Sequence, residues 1–90
     1  MKRVHLIISG DVIGVGYRSW VKRQARELGV SGWVKNREDN TVELVVEGSK
    51  DHLTAVVAIC KKGPDVAWVK DVVETWQDAT GEFVDFEVLY

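Results

Sequence analysis

The sequence has few of the residues that mark secreted, metal-binding or membrane-spanning chains. Its single cysteine, Cys60, cannot form an internal disulfide bond and has no cysteine or histidine neighbours at the spacing of a zinc site. No uncharged run approaches the roughly 20 residues that a membrane-spanning helix needs, and the run from Val4 to Ile8 is too short for a signal peptide. These absences predict a cytoplasmic protein that binds no metal ion or other cofactor and does not enter a membrane.

Charge is nearly balanced over the whole chain but unevenly distributed along it. Twelve lysines and arginines oppose fourteen aspartates and glutamates, for a net charge of −2, which argues against a nucleic-acid partner and against a disordered acidic tail. Residues 1–37 hold eight basic and two acidic side chains, whereas residues 38–90 hold four and twelve. We therefore expect any anion-binding site to lie in the first part of the chain.

The length and the apolar pattern predict one small domain. Ninety residues, of which 46% are hydrophobic, are enough for a single core and too few for two, so we expect one domain spanning residues 1–90. Apolar runs bounded by turn residues predict strands at residues 4–8, 30–36, 41–47, 66–76 and 83–89. Apolar residues at helical spacing predict one helix from Tyr17 to Leu28, ended by Gly29, and a second one between Ser49 and the Lys61–Pro64 segment.

This order of elements, read as βαββαβ, favours an α+β fold. Right-handed crossovers place both helices over the sheet, so we expect a ferredoxin-like α/β sandwich, with a mainly antiparallel sheet covered on one face by two helices. The central strands lack the alternating aromatic residues of RNA-binding sheets, and the tryptophans are therefore interpreted as core residues: Trp20, Trp33, Trp68 and Trp76. Cys60 belongs to an apolar helical stripe and is expected to be buried. The same fold serves RNA binders, metal carriers and enzymes, so function has to follow from individual residues.

The segment from Gly10 to Arg18, between the first strand and the first helix, has the composition of an anion-binding loop. Three glycines let its backbone turn and expose consecutive N–H groups next to the free donors of a helix N-terminus. Arg18 adds a planar guanidinium that matches two phosphate oxygens, although a solvated arginine at the start of a helix is an equally simple interpretation. The spacing fits neither a Walker loop nor a dinucleotide fingerprint, and no cysteine precedes Arg18, so the loop can bind a phosphoryl group but not attack it.

Asn36 ends the second predicted strand, in the segment Gly32-Trp33-Val34-Lys35-Asn36 just before a polar turn. Its side-chain amide can both donate and accept a hydrogen bond and so can hold a water molecule without a change of charge. The alternative is a turn asparagine that is bonded to its own backbone. Spacing alone favours this alternative.

Together the two segments resemble the acylphosphatase family. Gly10 to Arg18 is similar to the family signature, in which a glycine, a valine, a Gln-Gly-Val step, an aromatic residue and an arginine follow one another. Gly32 to Asn36 is similar to the family's Gly-aromatic-Val-Lys-Asn segment, which a turn and a strand follow. The resemblance covers essentially all 90 residues and implies the ferredoxin-like fold that the order of elements favours.

The resemblance implies the hydrolysis of a small-molecule acyl phosphate to a carboxylate and inorganic phosphate by a metal-independent monomer. Arg18 would bind the phosphate group and Asn36 would position the attacking water, whose proton the substrate's own phosphate would take. The backbone amides that would bind the phosphate together with Arg18 are those of Ile13, Gly14, Val15, Gly16 and Tyr17. An acyl phosphate has a good leaving group, so positioning and electrostatic stabilisation can suffice for this chemistry.

Three residues depart from the family's usual pattern and support a second hypothesis. Ile13 replaces a glutamine, Asp11 replaces a basic residue, and Asn40 replaces the glycine of the hairpin. A carboxylate at position 11 could weaken the binding of an anion nearby. The alternative function is therefore a non-catalytic phosphate-binding or anion-binding regulatory module that keeps the loop and has lost turnover.

Overall fold

The protein consists of five strands and two helices, which the computed structural model describes for all residues from Met1 to Tyr90. In chain order the elements are β1 (Lys2–Asp11), α1 (Tyr17–Leu28), β2 (Ser31–Asn36), β3 (Val42–Gly48), α2 (Lys50–Lys62), β4 (Trp68–Asp78) and β5 (Phe86–Leu89). All five predicted strands and both predicted helices are present. The last strand is shorter than the predicted residues 83–89. Counting all five strands, the order is βαββαββ, in which a fifth strand follows the βαββαβ arrangement.

The strands form one sheet in the order β4-β1-β3-β2-β5. Every neighbouring pair is antiparallel except β2 and β5, which run parallel. Along β1 the buried residues alternate, and Val4, Leu6 and Ile8 point to the core because successive side chains of a strand face opposite sides. The α+β fold class predicted from the sequence, a ferredoxin-like sandwich, is confirmed.

The helices begin and end where the local sequence signals place them. Gly29 adopts a left-handed conformation, with φ of 71°, and its N–H closes the last turn of α1 on backbone carbonyls. At the start of α2 the Ser49 hydroxyl accepts a hydrogen bond of 3.2 Å from the His52 N–H. The apolar stripes of both helices face the core and consist of Tyr17, Val21 and Ala25 on α1 and Leu53, Val56, Val57 and Cys60 on α2.

The interpretation of the tryptophans as core residues is wrong for two of the four. Trp68 is 58% exposed and Trp76 is 38% exposed, because both lie on β4, the edge strand, nine of whose eleven residues are exposed. Trp20 is partly buried against the core and packs on Tyr17 with ring centroids 5.9 Å apart. Trp33 is half-buried, and the Lys35 Nζ lies 5.3 Å from the centroid of its ring.

Cys60 is buried, as its place on the apolar stripe predicts, and burial raises the pKa of its thiol to about 12. Its backbone carbonyl accepts a 2.8 Å hydrogen bond from the Tyr17 hydroxyl, which links the two helices.

Neither helix is long and apolar enough to cross a membrane.

Candidate active site

The loop between β1 and α1 presents a run of unpaired backbone donors. Gly14 and Gly16 both adopt φ of 76°, a left-handed conformation that other L-residues rarely take, and Gly16 is the N-cap of α1 without a side-chain cap. None of the N–H groups of residues 13–17 donates to a backbone carbonyl, and the first turn of α1 contributes donors of the same kind. These N–H groups are free to donate to an anion, whose binding the positive end of the helix dipole favours.

Arg18 lies in the first turn of α1 and contacts the end of β5. Its Nη1 donates a 3.2 Å hydrogen bond to the Leu89 carbonyl, and its Cζ lies 4.8 Å from the centroid of the Tyr90 ring. No carboxylate pairs with this guanidinium. The contacts orient Arg18 without neutralising it, so its positive charge stays available to an anion at the loop.

Asn36 is the last residue of β2 and shares its face of the sheet with Val34, which is buried in the core. The alternation therefore places the Asn36 side chain on the helical side, next to the loop before α1. Its Oδ1 is buried and has no hydrogen-bond partner, an arrangement that costs roughly 1–3 kcal/mol unless a donor is supplied. Asn36 is thus not the backbone-bonded turn asparagine of the alternative interpretation.

The turn after Asn36 uses other residues to satisfy its backbone. Asp39 accepts hydrogen bonds from the Thr41 hydroxyl and from the Thr41 N–H, and these bonds lower the pKa of its carboxyl. Asn40 adopts φ of 65°, the left-handed conformation that asparagine tolerates better than most residues. The replacement of the hairpin glycine by Asn40 therefore leaves the turn intact.

A small cavity of about 70 Å³ joins the loop, the arginine and the asparagine. Its volume is about that of two water molecules in the liquid, at about 30 Å³ each. The lining residues are Val12, Gly14, Gly16, Tyr17, Arg18, Ser19, Asn36, Val88 and Tyr90. Of the predicted site residues, the structure brings Gly14, Gly16, Tyr17, Arg18 and Asn36 to this cavity. The Ile13 side chain points out to solvent and Val15 packs against the core, so neither side chain lines it.

Sequence reasoning missed Ser19, Val88 and Tyr90 on the lining. Ser19 directly follows Arg18 and could have been found by considering the whole first turn of α1. Val88 and Tyr90 reach the cavity because β5 pairs in parallel with β2, with Val88 opposite Val34. No local sequence signal encodes that pairing.

Asp11 does not line the cavity. It is exposed at the end of β1, where it pairs with Trp68 of the edge strand. The side chains that line the cavity include one arginine and no aspartate or glutamate. The acidic departure from the family pattern therefore lies outside the cavity.

A wider, open cleft of about 670 Å³ adjoins the cavity and shares Asn36 and Tyr90 with it. The other lining residues are all charged and come from β2, the following turn and β3: Lys35, Arg37, Glu38, Asp39 and Glu43. Glu43 faces both Lys35, at 3.8 Å, and the His5 ring, at 2.7 Å. The Arg37 guanidinium lies 3.9 Å from the Asp39 carboxylate.

The chain is thus a small α+β protein in which a glycine loop, an arginine and an asparagine without a side-chain partner line one cavity. The acylphosphatase family model matches residues 4–88. Acylphosphatase from Pelotomaculum thermopropionicum is 46% identical over 88 residues, which cover 98% of this chain and 96% of that protein. Acylphosphatase from Methylococcus capsulatus is 46% identical over 89 residues, covering 99% and 97%.

A solved structure agrees with these relatives. The crystal structure of acylphosphatase from Bacillus subtilis has a TM-score of 0.96 to this chain at 33% identity, with both chains covered completely. The chain belongs to the acylphosphatase family. The family resemblance predicted from the two motifs is thereby confirmed.

Proposed function

We propose that this member of the acylphosphatase family hydrolyses the carboxyl–phosphate bond of acyl phosphates, releasing a carboxylate and inorganic phosphate. It is a hydrolase, as the proteins it resembles are. The assignment of residues rests on one observation: the glycine loop, Arg18 and Asn36, whose side-chain oxygen has no partner, line the same cavity. The proposed roles are phosphate binding by the loop and Arg18, and orientation of water by Asn36.

The backbone amides of Ile13, Gly14, Val15, Gly16 and Tyr17 hold the phosphate oxygens in this proposal. Their unpaired N–H groups and the N-terminus of α1 supply donors and positive potential without reorganisation. Arg18 adds two parallel hydrogen bonds, since a guanidinium has five N–H donors and the Leu89 carbonyl takes only one. Ile13 keeps its N–H and so can take part even though its side chain faces solvent.

The Asn36 side-chain amide holds the attacking water by a hydrogen bond and directs its oxygen towards phosphorus. The bond from phosphorus to the bridging oxygen breaks, and the carboxylate leaves with the electron pair of that bond. The substrate's phosphate takes the proton that the water loses. No aspartate, glutamate or histidine side chain lines the cavity, which supports a route in which the substrate itself is the base.

The test follows loss of acetyl phosphate in the presence of excess chelator, with wild type beside Arg18→Ala and Asn36→Ala. Each substitution is expected to lower kcat by roughly 100-fold or more, as the loss of one preorganised group does in comparable sites. Asn36→Ala should leave the affinity for inorganic phosphate nearly unchanged, whereas Arg18→Ala should weaken it. Arg23→Ala is the matched control, because Arg23 is an exposed, unpaired arginine on the same helix. Full activity in either site variant would refute the role proposed for that residue.

The alternative, a non-catalytic anion-binding module, predicts stabilisation by phosphate without hydrolysis. The named relatives favour the hydrolase. A thermal shift with inorganic phosphate, measured on the same preparation as the turnover assay, separates the two hypotheses. A shift without turnover supports the module, and a shift with turnover supports the enzyme.

We further propose that residues 1–90 act as a single-domain monomer in the cytoplasm, without a metal ion and without a nucleic-acid or membrane partner. The near-neutral charge and the single buried cysteine support this proposal. Light scattering gives the mass in solution, and chelator-resistant turnover tests the metal. Salt-dependent binding of an oligonucleotide would contradict the absence of a nucleic-acid partner.

A further inference from the structure

The open cleft beside the cavity carries an unbalanced negative charge at Glu38. We propose that Glu38 makes the enzyme discriminate against acyl phosphates whose acyl group carries a second negative charge. This inference rests on the proposed function, because it concerns the part of the substrate that lies beyond the phosphate. It assigns a specificity role to a residue that neither sequence motif contains.

The sizes of the two spaces place the acyl group in the cleft. The cavity of about 70 Å³ offers room for a phosphate group and little else. The cleft of about 670 Å³ opens next to it, and Asn36 and Tyr90 line both spaces. With its phosphate at Arg18, a substrate therefore extends its acyl group past Tyr90 into the cleft.

The charges of the cleft do not cancel. Its two cations each face an acidic partner: Lys35 lies 3.8 Å from Glu43, and Arg37 lies 3.9 Å from Asp39. Glu38 is exposed and forms no ion pair. Among the lining side chains its carboxylate is thus the one charge without a partner of opposite sign.

An acyl group with its own carboxylate meets this charge at the rim of the cleft. Two like charges about 7 Å apart in water repel enough to change a rate constant about two- to threefold at low ionic strength. Salt weakens the repulsion, since the Debye length falls to about 3 Å at 1 M. Neutral acyl groups do not experience the repulsion.

The experiment compares kcat/KM for succinyl phosphate with kcat/KM for butyryl phosphate, which has the same chain length and no second carboxylate. In Glu38→Gln the ratio of succinyl to butyryl phosphate is expected to rise about two- to threefold at low salt, and in Glu38→Lys about five- to tenfold. In 1 M sodium chloride the difference between wild type and the variants should vanish. Glu27→Gln removes the same charge from the exposed end of α1, outside the cleft, and should leave the ratio unchanged.

An unchanged ratio in both Glu38 variants would overturn the inference, as would an equal rise in Glu27→Gln, because then only net charge matters. Failure of the proposed function has a different signature. In that case butyryl phosphate itself is not hydrolysed by wild type, and no ratio can be formed.

Discussion

Glu47 offers the sharpest test of how the fold supports the site. It lies on β3 with 3% of its side chain exposed, and its carboxylate accepts hydrogen bonds from distant parts of the chain. Arg3 Nε donates at 2.7 Å, the Thr80 N–H at 2.9 Å and the Gly81 N–H at 3.0 Å. These bonds fasten the segment after β4, which leads into β5 and on to the residues that contact Arg18.

The pKa of Glu47 indicates how much these hydrogen bonds contribute to the free energy of unfolding. Burial alone would raise the pKa, but the hydrogen bonds from Thr80, Arg3 and Gly81 outweigh burial and lower the pKa to about 2 from an ordinary value of 4.5. A shift of this size corresponds to about 3 kcal/mol of stability. Because the pKa of the folded state is the lower one, this stability is present above pH 4.5 and is lost as the pH falls towards 2.

The perturbation is Glu47→Gln, which removes the charge and keeps the shape. At pH 7 we expect the free energy of unfolding to fall by about 2–3 kcal/mol, and the melting temperature by about 10 °C or more for a domain of this size. At pH 3 the gap between wild type and variant should shrink by about 2 kcal/mol, since part of the wild-type contribution is already lost there. Urea unfolding followed by circular dichroism measures both values.

The matched control is Glu87→Gln, because Glu87 is exposed on β5 and forms no ion pair. It should change the free energy of unfolding by less than about 0.5 kcal/mol at either pH. A Glu47→Gln protein as stable as wild type at pH 7 would show that the charge of Glu47 does not stabilise the fold. A gap between the two proteins that is the same at pH 7 and pH 3 would show that the loss is not electrostatic.

Three further predictions concern the site. Tyr90→Ala removes the ring that contacts Arg18 and should lower kcat/KM about two- to fivefold. Tyr90→Phe keeps the ring and should retain activity. Equal losses of kcat/KM in both variants would contradict a role for the ring. Gly16→Ala forces alanine into φ of 76° and should cost about 1–2 kcal/mol of unfolding free energy, measured in urea, along with phosphate affinity in calorimetry. Ile13→Gln should raise kcat with acetyl phosphate or leave it unchanged, since the side chain faces solvent, and a clear drop would mean that the isoleucine belongs to a rearranged site.

Local sequence signals were sufficient for most of the fold because they act over a few residues. Gly29 ends α1 and Ser49 caps α2 through bonds that span three or four positions, so a short window contains both partners. The alternation along β1 likewise identifies its buried face. The tryptophans of β4 were misassigned because hydrophobicity does not reveal whether a strand lies in the middle of the sheet or at its edge.

Short motifs are enough to identify the glycine loop, the arginine that follows it, and the asparagine at the end of β2. That Arg18 and Asn36 share one cavity, and that the Asn36 oxygen has no partner there, is visible only in the folded chain. The same is true of the contact between Tyr90 and Arg18, because β5 pairs with β2 across more than fifty residues of chain. Pairing between distant strands depends on the packing of the whole sheet, which no window of neighbouring residues contains.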